Sequence, residues 1–408
     1  MDYEATNRVG TPLEVLRAFL KLGLISFGGP IAHIGYFRQE FVVRRRWISD
    51  AAYTDIVALC QFLPGPASSQ VGFSIGLLRS GYLGGLAAWT GFTLPSAIAL
   101  VLFSYGSGAL RGAIGIGMLR GLKLVAVAVV SQAVWGMART LCPDRQRASI
   151  GAAAALLYLF SSSSATQAWA ILLGGIAGLW LCRSAAPAGT DAISAPVSRR
   201  VAGVSLAIFA VLLIGLPRLR GAGLPGTGLP GAAALFGAFY RAGALVFGGG
   251  HVVLPVLRDE FVAPGWVSDD AFLAGYGAAQ AVPGPLFSFA AYLGAMLLPS
   301  WHGVAGAAVG LIGIFLPGIL LLIGTLPFWE GLRSRSGAQA AMRGINAAVV
   351  GLLGAALYNP VWISSVKSSG DLGVALVGFV LLTVWRAPPL LVVFVGAMGG
   401  IALAVAAA

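Results

Sequence analysis

The sequence predicts an all-α, polytopic integral membrane protein built from two homologous halves, and two observations carry that prediction. First, 58% of the 408 residues are hydrophobic and only 10% are charged, whereas soluble proteins carry about 25% charged residues. Second, many apolar stretches approach the roughly 20 residues that a helix needs to cross a bilayer, and one interrupted stretch occurs twice. A helical bundle embedded in a membrane satisfies both observations.

The interruption is a Gln-x-x-Pro-Gly-Pro motif inside an apolar run. It occurs at residues 61–66 and again at residues 280–285, an offset of 219. Proline lacks the backbone N–H and clashes with the preceding turn, so neither copy can be continuous helix. In lipid, such a break is tolerated only where protein encloses it or where it lines a watery cavity. Breaks at matching positions of two halves indicate the binding site of a transporter.

The duplication extends well beyond this motif. The matched pairs include Phe-Gly-Gly at 27–29 and 247–249, Glu-Phe-Val at 40–42 and 260–262, Trp47 and Trp266, Ser49-Asp50 and Ser268-Asp269, and Leu94-Pro95 and Leu316-Pro317. Residues kept in both copies are constrained twice, and this ranks them as candidates for structure or function. Glycines spaced four apart, such as Gly117/Gly121 and Gly396/Gly400, additionally predict close packing of helices.

The duplication divides the chain into three parts. We predict an N-terminal repeat over residues 1–182, a linker over residues 183–231 with one additional membrane segment at 201–216, and a C-terminal repeat over residues 232–408. Counting apolar segments predicts about 10–13 membrane segments in total. The N-terminus is acidic and polar, so we expect the first apolar segment to direct insertion without a cleavable signal peptide.

The loop charges favour an inverted repeat. The loop 38–50 carries four arginines, whereas its counterpart 257–270 carries one arginine and four acidic residues. By the positive-inside rule these equivalent loops belong on opposite faces of the membrane. Two observations keep the orientation open: the loops 110–123 and 329–343 are both basic, and re-entrant hairpins at the breaks would change the number of crossings.

Anion binding is the first function that the breaks suggest. A helix that restarts after a break presents unpaired N–H groups and about +0.5 charge at its N-terminus, which suits an oxyanion. Hydroxyl and amide side chains in the first turn of such a helix would add donors. The candidate substrate-binding residues are Gly28, Gly29, His33, Gln61, Gly65, Ser68, Ser69, Gln70, Gly248, Gly249, Gln280, Gly284 and Ser288.

Charged residues near the breaks are candidates for countercharge or coupling. Lys21, Arg38 and Arg241 are the predicted countercharges, and Glu40, Asp55 and Glu260 are the predicted proton-coupling groups, because ionisable residues within a membrane are functional by default. The structural alternatives stay open. The glycines can serve only to permit a bend, Glu40 and Glu260 can be ion-pair partners of local arginines, and the two matched tryptophans can mark the membrane interface.

Other functional classes find little support in the sequence. The net charge of +12 is spread over short loops, which is typical of topology signals and predicts no nucleic-acid partner. The three cysteines are far apart and form neither a disulfide framework nor a zinc motif, so we predict no metal and no cofactor. The G-x-S-x-G match at residues 72–76 lies in an apolar helix instead of the strand–turn–helix that a nucleophile elbow needs. We therefore predict that the protein is not an enzyme.

The motifs resemble a known family. Residues 26–37 (SFGGPIAHIGYF) and 58–70 (ALCQFLPGPASSQ) look like the signature of the chromate ion transporter family, and residues 247–255 (FGGGHVVLP) with Pro283-Gly284-Pro285 are similar to its second domain. The resemblance covers essentially the whole chain and matches the long, two-domain form.

This resemblance implies a secondary transporter that exports chromate across the bacterial inner membrane, as a multi-pass protein, and confers chromate resistance. Sulfate, which is also tetrahedral, is implied as a second anion, and the lipid bilayer is the expected surrounding. The alternatives are a sulfate or other anion transporter of the same fold, a transporter of a neutral or lipid-linked solute, and an intramembrane enzyme. A homodimer is an open alternative to a monomer.

Overall fold

The computed structural model describes residues 10–27, 29–107, 112–160, 164–183, 197–219, 231–247, 252–297, 303–333 and 335–406, and every regular element in these ranges is helical. The first half contains α1 (Pro12–Ile25), α2 (Gly29–Phe37), α3 (Asp50–Phe62), α4 (Ala67–Ser107), α5 (Gly112–Leu141), α6 (Arg145–Phe160) and α7 (Ser164–Leu181), and α8 (Arg199–Gly215) follows it. The second half contains α9 (Ala232–Leu245), α10 (Val253–Phe261), α11 (Asp269–Ala279), α12 (Phe289–Leu297), α13 (Val304–Thr325), α14 (Trp329–Arg333), α15 (Ser336–Ala356), α16 (Ile363–Ser365), α17 (Ser369–Thr383) and α18 (Pro389–Ala406). The all-α prediction is confirmed.

Six of the described helices are long and apolar enough to cross a membrane. They cover Ala67–Gly106, Ile114–Leu141, Arg199–Arg218, Val304–Leu332, Ser336–Ser365 and Pro389–Ala406. Four shorter apolar helices accompany them, at Thr166–Leu181, Ala232–Leu245, Leu286–Leu297 and Ser369–Thr383. The prediction of a polytopic membrane protein is confirmed by these helices.

The first break in each half reverses the chain and forms a helical hairpin. In the first half, the ring of Phe19 on α1 stacks on Phe41, just beyond α2, with ring centroids 4.7 Å apart. In the second half, the ring of Phe239 on α9 packs on that of Phe261 on α10 in a tilted arrangement, with ring centroids 4.5 Å apart. In each pair the two residues lie on the helical segments on either side of the break, so α2 folds back along α1 and α10 folds back along α9.

The second break in each half also forms a hairpin. In the first half, α3 packs against α4 on the other side of the Pro-Gly-Pro loop. In the second half, the Tyr292 hydroxyl of α12 donates to the carbonyl of Ala271 on α11 at 3.0 Å. Both contacts join residues on opposite sides of a Pro-Gly-Pro loop, so the Pro-Gly-Pro sequence forms the tip of an antiparallel pair.

Helix α4 reverses direction once more after this hairpin. Its backbone leaves helical geometry at Ser80 and Gly81, where Gly81 has a φ of 66°. The arms 67–79 and 82–107 then run antiparallel, and Gly76 and Gly84 pack so closely that a side chain on either would clash with the other's backbone. The positive φ and the close approach both require glycine.

The remaining helices pack across the two halves. Helix α5 packs on α17 and α18, whereas its counterpart α15 packs on α6 and α7. Glycines allow this close packing between the halves. Gly121 contacts Gly396 where α5 meets α18, and Gly344 contacts Gly174 and Gly178 where α15 meets α7. The prediction that glycines spaced four apart pack helices closely is confirmed at these positions.

Candidate functional site

Two reciprocal backbone hydrogen bonds join the tips of the two halves. The Gly65 N–H donates to the Val246 carbonyl at 2.7 Å, and the Gly284 N–H donates to the Ser26 carbonyl at 2.9 Å. Gly65 and Gly284 are equivalent positions of the repeat, and so are Ser26 and Val246. Each Pro-Gly-Pro tip therefore binds the end of the first helix of the opposite half, and the twin breaks lie together.

Four helix starts face this junction because each follows one of the joined tips. Helix α2 begins at Gly29, α4 at Ala67, α10 at Val253, and a short 3₁₀ turn at Leu286 leads into α12. Each start contributes unpaired N–H groups and a partial positive charge. The predicted residues Gly28, Gly248 and Gly249 lie outside the described residues.

The amides of Gly65 and Gly284 are not available to an anion in this conformation. Both N–H groups already donate across the junction, and both glycines have a positive φ, 118° and 102°. Their role is structural here, since the left-handed backbone is the geometry that glycine allows at low cost. The expectation that these two residues bind substrate directly finds no support in this structure.

His33 ties the first hairpin tip to the start of α4. Its ring is fully buried, with Nδ1 3.4 Å from the Ser68 hydroxyl and Nε2 3.2 Å from the Ser26 carbonyl. The ring also packs edge-on against Phe92 at 5.1 Å. His33 therefore joins two of the converging tips, and its equivalent in the second half is the apolar Val253.

Two further candidates hold the helix starts against the opposite half. The Gln70 amide donates from Nε2 to the Gly318 carbonyl at 2.9 Å and to the Pro64 carbonyl at 3.1 Å. In the second half, Ser288 is equivalent to Ser69, and its hydroxyl lies 2.6 Å from the Ser96 hydroxyl. Gly318 and Ser96 both follow the duplicated Leu-Pro pair, so both contacts join the first turn after a Pro-Gly-Pro tip to the Leu-Pro region of the opposite half.

Several buried polar atoms around the junction have no hydrogen-bond partner among the described residues. They are Ser26 Oγ, Ser69 Oγ, Gln70 Oε1, Thr93 Oγ1 and Gln280 Nε2. Most buried polar groups in proteins are paired, and an exception calls for an explanation such as a bound ligand or water. The concentration of such atoms beside the helix starts favours a polar ligand there.

A small cavity of about 50 Å³ lies beside the junction. Its lining residues are Gly29, Val129, Gln132, Ala279, Gln280, Val282, Gly284, Leu286, Leu382 and Pro389. The Nε2 of Gln280 has no hydrogen-bond partner among the described residues and can donate to a ligand. Gln280 and Gln132 thus supply amide groups within an otherwise apolar lining, next to the N-terminus of α2.

The sequence analysis missed Gln132 and overrated Gln61. Gln132 lies in the middle of α5 with no duplicate, and the only signal was a polar Ser131-Gln132 pair inside an apolar run. Gln61 was ranked with Gln280 because the two are duplicated, but Gln61 is exposed and does not line the cavity. Duplication marked both glutamines, yet the structure brings only Gln280 to the cavity.

The predicted charged residues form ion pairs away from the cavity. Arg241 and Glu260 form a buried bidentate pair at 3.0 and 2.5 Å. Glu40 accepts from Arg44 and Arg45 at 2.8 and 2.6 Å. The structural alternative given for Glu40 and Glu260 therefore agrees with these contacts.

The other charged candidates are also placed outside the cavity. Lys21 is exposed, and the Asp55 carboxylate accepts from the indole of Trp329 at 3.0 Å. Arg38 donates to Asp50 at 2.7 Å, and this hydrogen bond lowers the pKa of the exposed Asp50 carboxyl. The equivalent residues of the second half, Arg258 and Asp269, pair at 3.1 Å, so this duplicated pair fastens the outer end of each hairpin.

No group of three or more His, Cys, Asp or Glu residues that could hold a metal ion occurs within the described parts of the chain. The site therefore consists of backbone N–H groups, hydroxyls and amides, which suit an anion or a polar neutral solute. A polytopic helical protein whose two halves place broken-helix tips around a polar cavity has the architecture of a membrane transport protein.

Comparison with known sequences identifies the family of transport proteins to which the chain belongs. The chain matches the chromate transporter family over residues 13–179 and 233–401, and it belongs to that family. It is 29% identical to the chromate transport protein of Pseudomonas aeruginosa over 366 residues, which cover 86% of this chain and 82% of that protein.

Two further relatives have similar names and coverage. The probable chromate transport protein of Synechococcus elongatus is 27% identical, over 95% of this chain and 94% of that protein. The chromate transport protein of Cupriavidus metallidurans is 26% identical, over 90% and 86%. No solved structure matches the chain significantly. The family predicted from the sequence motifs is confirmed.

Proposed function

We propose that this protein is a secondary transporter that exports chromate across the bacterial inner membrane, with sulfate as a competing oxyanion and chromate resistance as the result. The observation that carries the proposal is that two helix starts, at Gly29 and Leu286, and the amide side chains of Gln132 and Gln280 line one cavity beside the joined tips. Helix N-termini stabilise oxyanions without a fixed countercharge, and discontinuous helices near the middle of the membrane are the typical place for such a site.

An inverted repeat is part of this proposal, and helix directions support it. Helix α12 is the equivalent of the first arm of α4. It runs parallel to the second arm of α4, because Ser288 contacts Ser96 and the Tyr292 ring lies 5.7 Å from Phe103. Since the two arms of α4 are antiparallel, the equivalent helices α12 and 67–79 run in opposite directions, as they do in an inverted repeat.

The hairpins complete this topology. Each half begins with two re-entrant hairpins, which enter and leave the membrane on the same face. The chain of each half then crosses the membrane four times, and α8 adds one crossing between the halves. This arrangement puts the arginine-rich loop 38–50 and the acidic loop 257–270 on opposite faces. It also separates the two basic loops 110–123 and 329–343, and the positive-inside rule then assigns the arginine-rich face to the cytoplasm.

The physical driving force agrees with export. Chromate is a dianion, and an inside-negative potential favours its exit by about 4.6 kcal/mol per 100 mV, twice the value for one charge. In this scheme the hairpin tips of one half release those of the other to open the cavity to one face at a time. The reciprocal bonds made by Gly65 and Gly284 are the contacts that must exchange.

Catalysis is not part of the proposal. Ser74, the serine of the G-x-S-x-G match, is buried, and its hydroxyl donates to the Gln70 carbonyl at 2.9 Å. That contact is the usual helical back-bond of a serine to the residue four positions earlier, and it leaves no role for Ser74 as a nucleophile.

Chromate uptake into everted membrane vesicles tests the proposed site. We expect Gln280→Ala and Gln132→Ala each to lower the uptake rate by about tenfold or more, since a hydrogen bond to a charged group contributes roughly 1.5–3 kcal/mol. The matched control is Gln146→Ala, at the exposed start of α6, which should leave the rate unchanged. Protein levels in the membrane must be equal in all variants.

Two outcomes would contradict the proposal. Wild-type uptake rates in both cavity variants would show that the cavity is not the site. Chromate uptake that excess sulfate leaves unaffected would show that the protein does not treat sulfate as a competing oxyanion.

A further inference from the structure

A buried carboxyl group on α10 makes contacts unlike those of its neighbours. Asp259 is 8% exposed. Its carboxylate accepts from Gln167 Nε2 at 2.6 Å and lies 3.4 Å from the Tyr158 hydroxyl. Both partners are neutral, and both belong to the first half, at the end of α6 and the start of α7. Burial penalises the charged form of a carboxyl, and neutral donors offset that penalty only in part.

The charged groups around Asp259 are committed to other partners. On α10 itself, Arg258 pairs with Asp269 and Glu260 pairs with Arg241 of α9. On α15, Arg343 donates to the Cys182 carbonyl at the far end of α7, about 22 Å along the helix from Gln167 at 1.5 Å per residue. Tyr158 is the titratable group that α6 presents. Among the described residues, Arg258 is the cation nearest in the chain to Asp259, but no cation forms a direct ion pair with Asp259 as cations do with Glu40 and Glu260.

The repeat does not require an acid at this position. The equivalent of Asp259 in the first half is Gln39, which is exposed. A packing role common to both halves thus does not explain Asp259. Its position does connect it to the substrate site, because α10 begins seven residues after Val246, and the Val246 carbonyl accepts the hydrogen bond from Gly65.

We propose that Asp259 is a proton-binding site that couples chromate export to proton entry. This inference rests on the proposed function. The unprotonated carboxylate accepts from both Gln167 and Tyr158 and holds α10 against α6 and α7. The protonated carboxyl has one acceptor fewer and releases α10, which can then move together with the substrate cavity.

The exchange balances in charge and in protons. Asp259 takes one proton from the face that carries the exposed turn 262–266, a few residues along the chain, and releases it to the opposite face. One chromate dianion leaves for each proton that enters, so three elementary charges move inward in each cycle. The transport is then driven by both the membrane potential and the pH gradient.

Purified protein in liposomes, with a pH-sensitive dye inside and chromate flux measured in parallel, tests the coupling. We expect the wild type to move protons only when chromate is present and to transport faster when a pH gradient is imposed. Asp259→Asn should transport chromate without moving protons and without responding to the gradient. Tyr158→Phe should keep the response but shift it to higher pH, because a donor to the charged form is lost.

The matched control is Asp270→Asn on the neighbouring helix. Its carboxylate is 76% exposed and pairs with Lys123, so its replacement should leave the pH response intact. A wild-type pH response in Asp259→Asn would overturn the site. Chromate flux without proton movement in the wild type would overturn the coupling while leaving chromate transport standing.

A second measurement is independent of transport. Infrared difference spectra of the wild type, recorded between acid and neutral pH, should show the C=O band of a protonated buried carboxyl, and Asp259→Asn should lose that band. Retention of the band would contradict the site even if no chromate flux is found in either protein, an outcome that would separately refute the proposed function.

Discussion

At the scale of single residues, equivalent positions of the two halves have diverged in burial and in pairing. Arg241 and Glu260 form a buried ion pair, whereas their equivalents, Lys21 and Glu40, are separated: Lys21 is exposed and Glu40 binds two neighbouring arginines. Removing one member of a buried ion pair costs far more than removing an exposed charge, because the remaining charge stays in a low-dielectric environment.

Arg241→Ala should therefore destabilise the protein by about 3–5 kcal/mol, and Lys21→Ala should change stability by less than about 1 kcal/mol. Thermal unfolding of the two variants in detergent, followed by near-ultraviolet circular dichroism, measures the difference. Equal unfolding temperatures for the two variants would show that the buried pair does not stabilise the second hairpin.

From the sequence, the candidate residues beside the breaks could be chosen, but the hydrogen bonds that each of them makes could not. It selected Ser68, Ser69, Gln70, Gln280 and Ser288 from their places beside the breaks, and the structure puts all of these at the junction. It could not assign roles, because hydrogen-bond partners such as Gly318 and Ser96 lie on the opposite half. Asp259 escaped notice for the same reason, since its partners Tyr158 and Gln167 are about a hundred positions away in the chain.

At the scale of elements, the two Pro-Gly-Pro tips are the feature on which the junction depends. A Cβ on Gly65 would lie 3.1 Å from Gly318 Cα, and one on Gly284 would lie 3.0 Å from the Phe92 carbonyl. Both positions also have a positive φ, which strains any other residue. Each tip therefore combines a backbone conformation and a close contact that glycine alone provides.

Gly65→Ala and Gly284→Ala should each cost about 1–3 kcal/mol of stability and should reduce chromate uptake strongly, because the cross-half hydrogen bond is displaced. Gly136→Ala is the matched control: it lies in α5 with no atom near the added Cβ, and it should be neutral or slightly stabilising. Uptake and thermal unfolding should be measured on the same preparations. Normal uptake in both tip variants would show that the reciprocal bonds are not needed for transport.

The sequence predicted these breaks but not their geometry. Proline and glycine end a helix wherever they occur, so the positions of the tips followed directly from residues 64–66 and 283–285. Whether the chain continues across the membrane or folds back is decided by contacts such as Phe19 with Phe41, which form only in the folded protein. The sequence therefore did not decide whether the chain forms hairpins at the breaks, although the hairpins determine how many times it crosses the membrane.

At the scale of the whole molecule, duplication explains why the site lies between the halves. Each half alone ends in two hairpin tips with unpaired backbone groups, and the equivalent half supplies the carbonyls of Ser26 and Val246 that bind them. Helix α5 of the first half packs on helices of the second half, and α15 of the second half packs on helices of the first. The outer helices of each half therefore also depend on the other half. A conformational change of one half relative to the other must therefore rearrange the cavity.

The duplicated sequence made the two halves predictable from the start, and the loop charges predicted opposite orientations for them. The cavity was not predictable in the same way, because α5, α17 and α18 contribute Gln132, Leu382 and Pro389, and none of these residues has a distinctive local pattern. A repeat can be recognised along one chain, but a cavity lined by five separate segments cannot.

The location of bound chromate tests the central claim most directly. Chromium scatters anomalously, so crystals of the protein grown with chromate would show the position of the anion without ambiguity. We predict a chromium peak between the start of α2 at Gly29 and the amides of Gln132 and Gln280, and we predict that it is lost in Gln280→Ala. A peak far from the joined hairpin tips, with the cavity empty, would contradict the account.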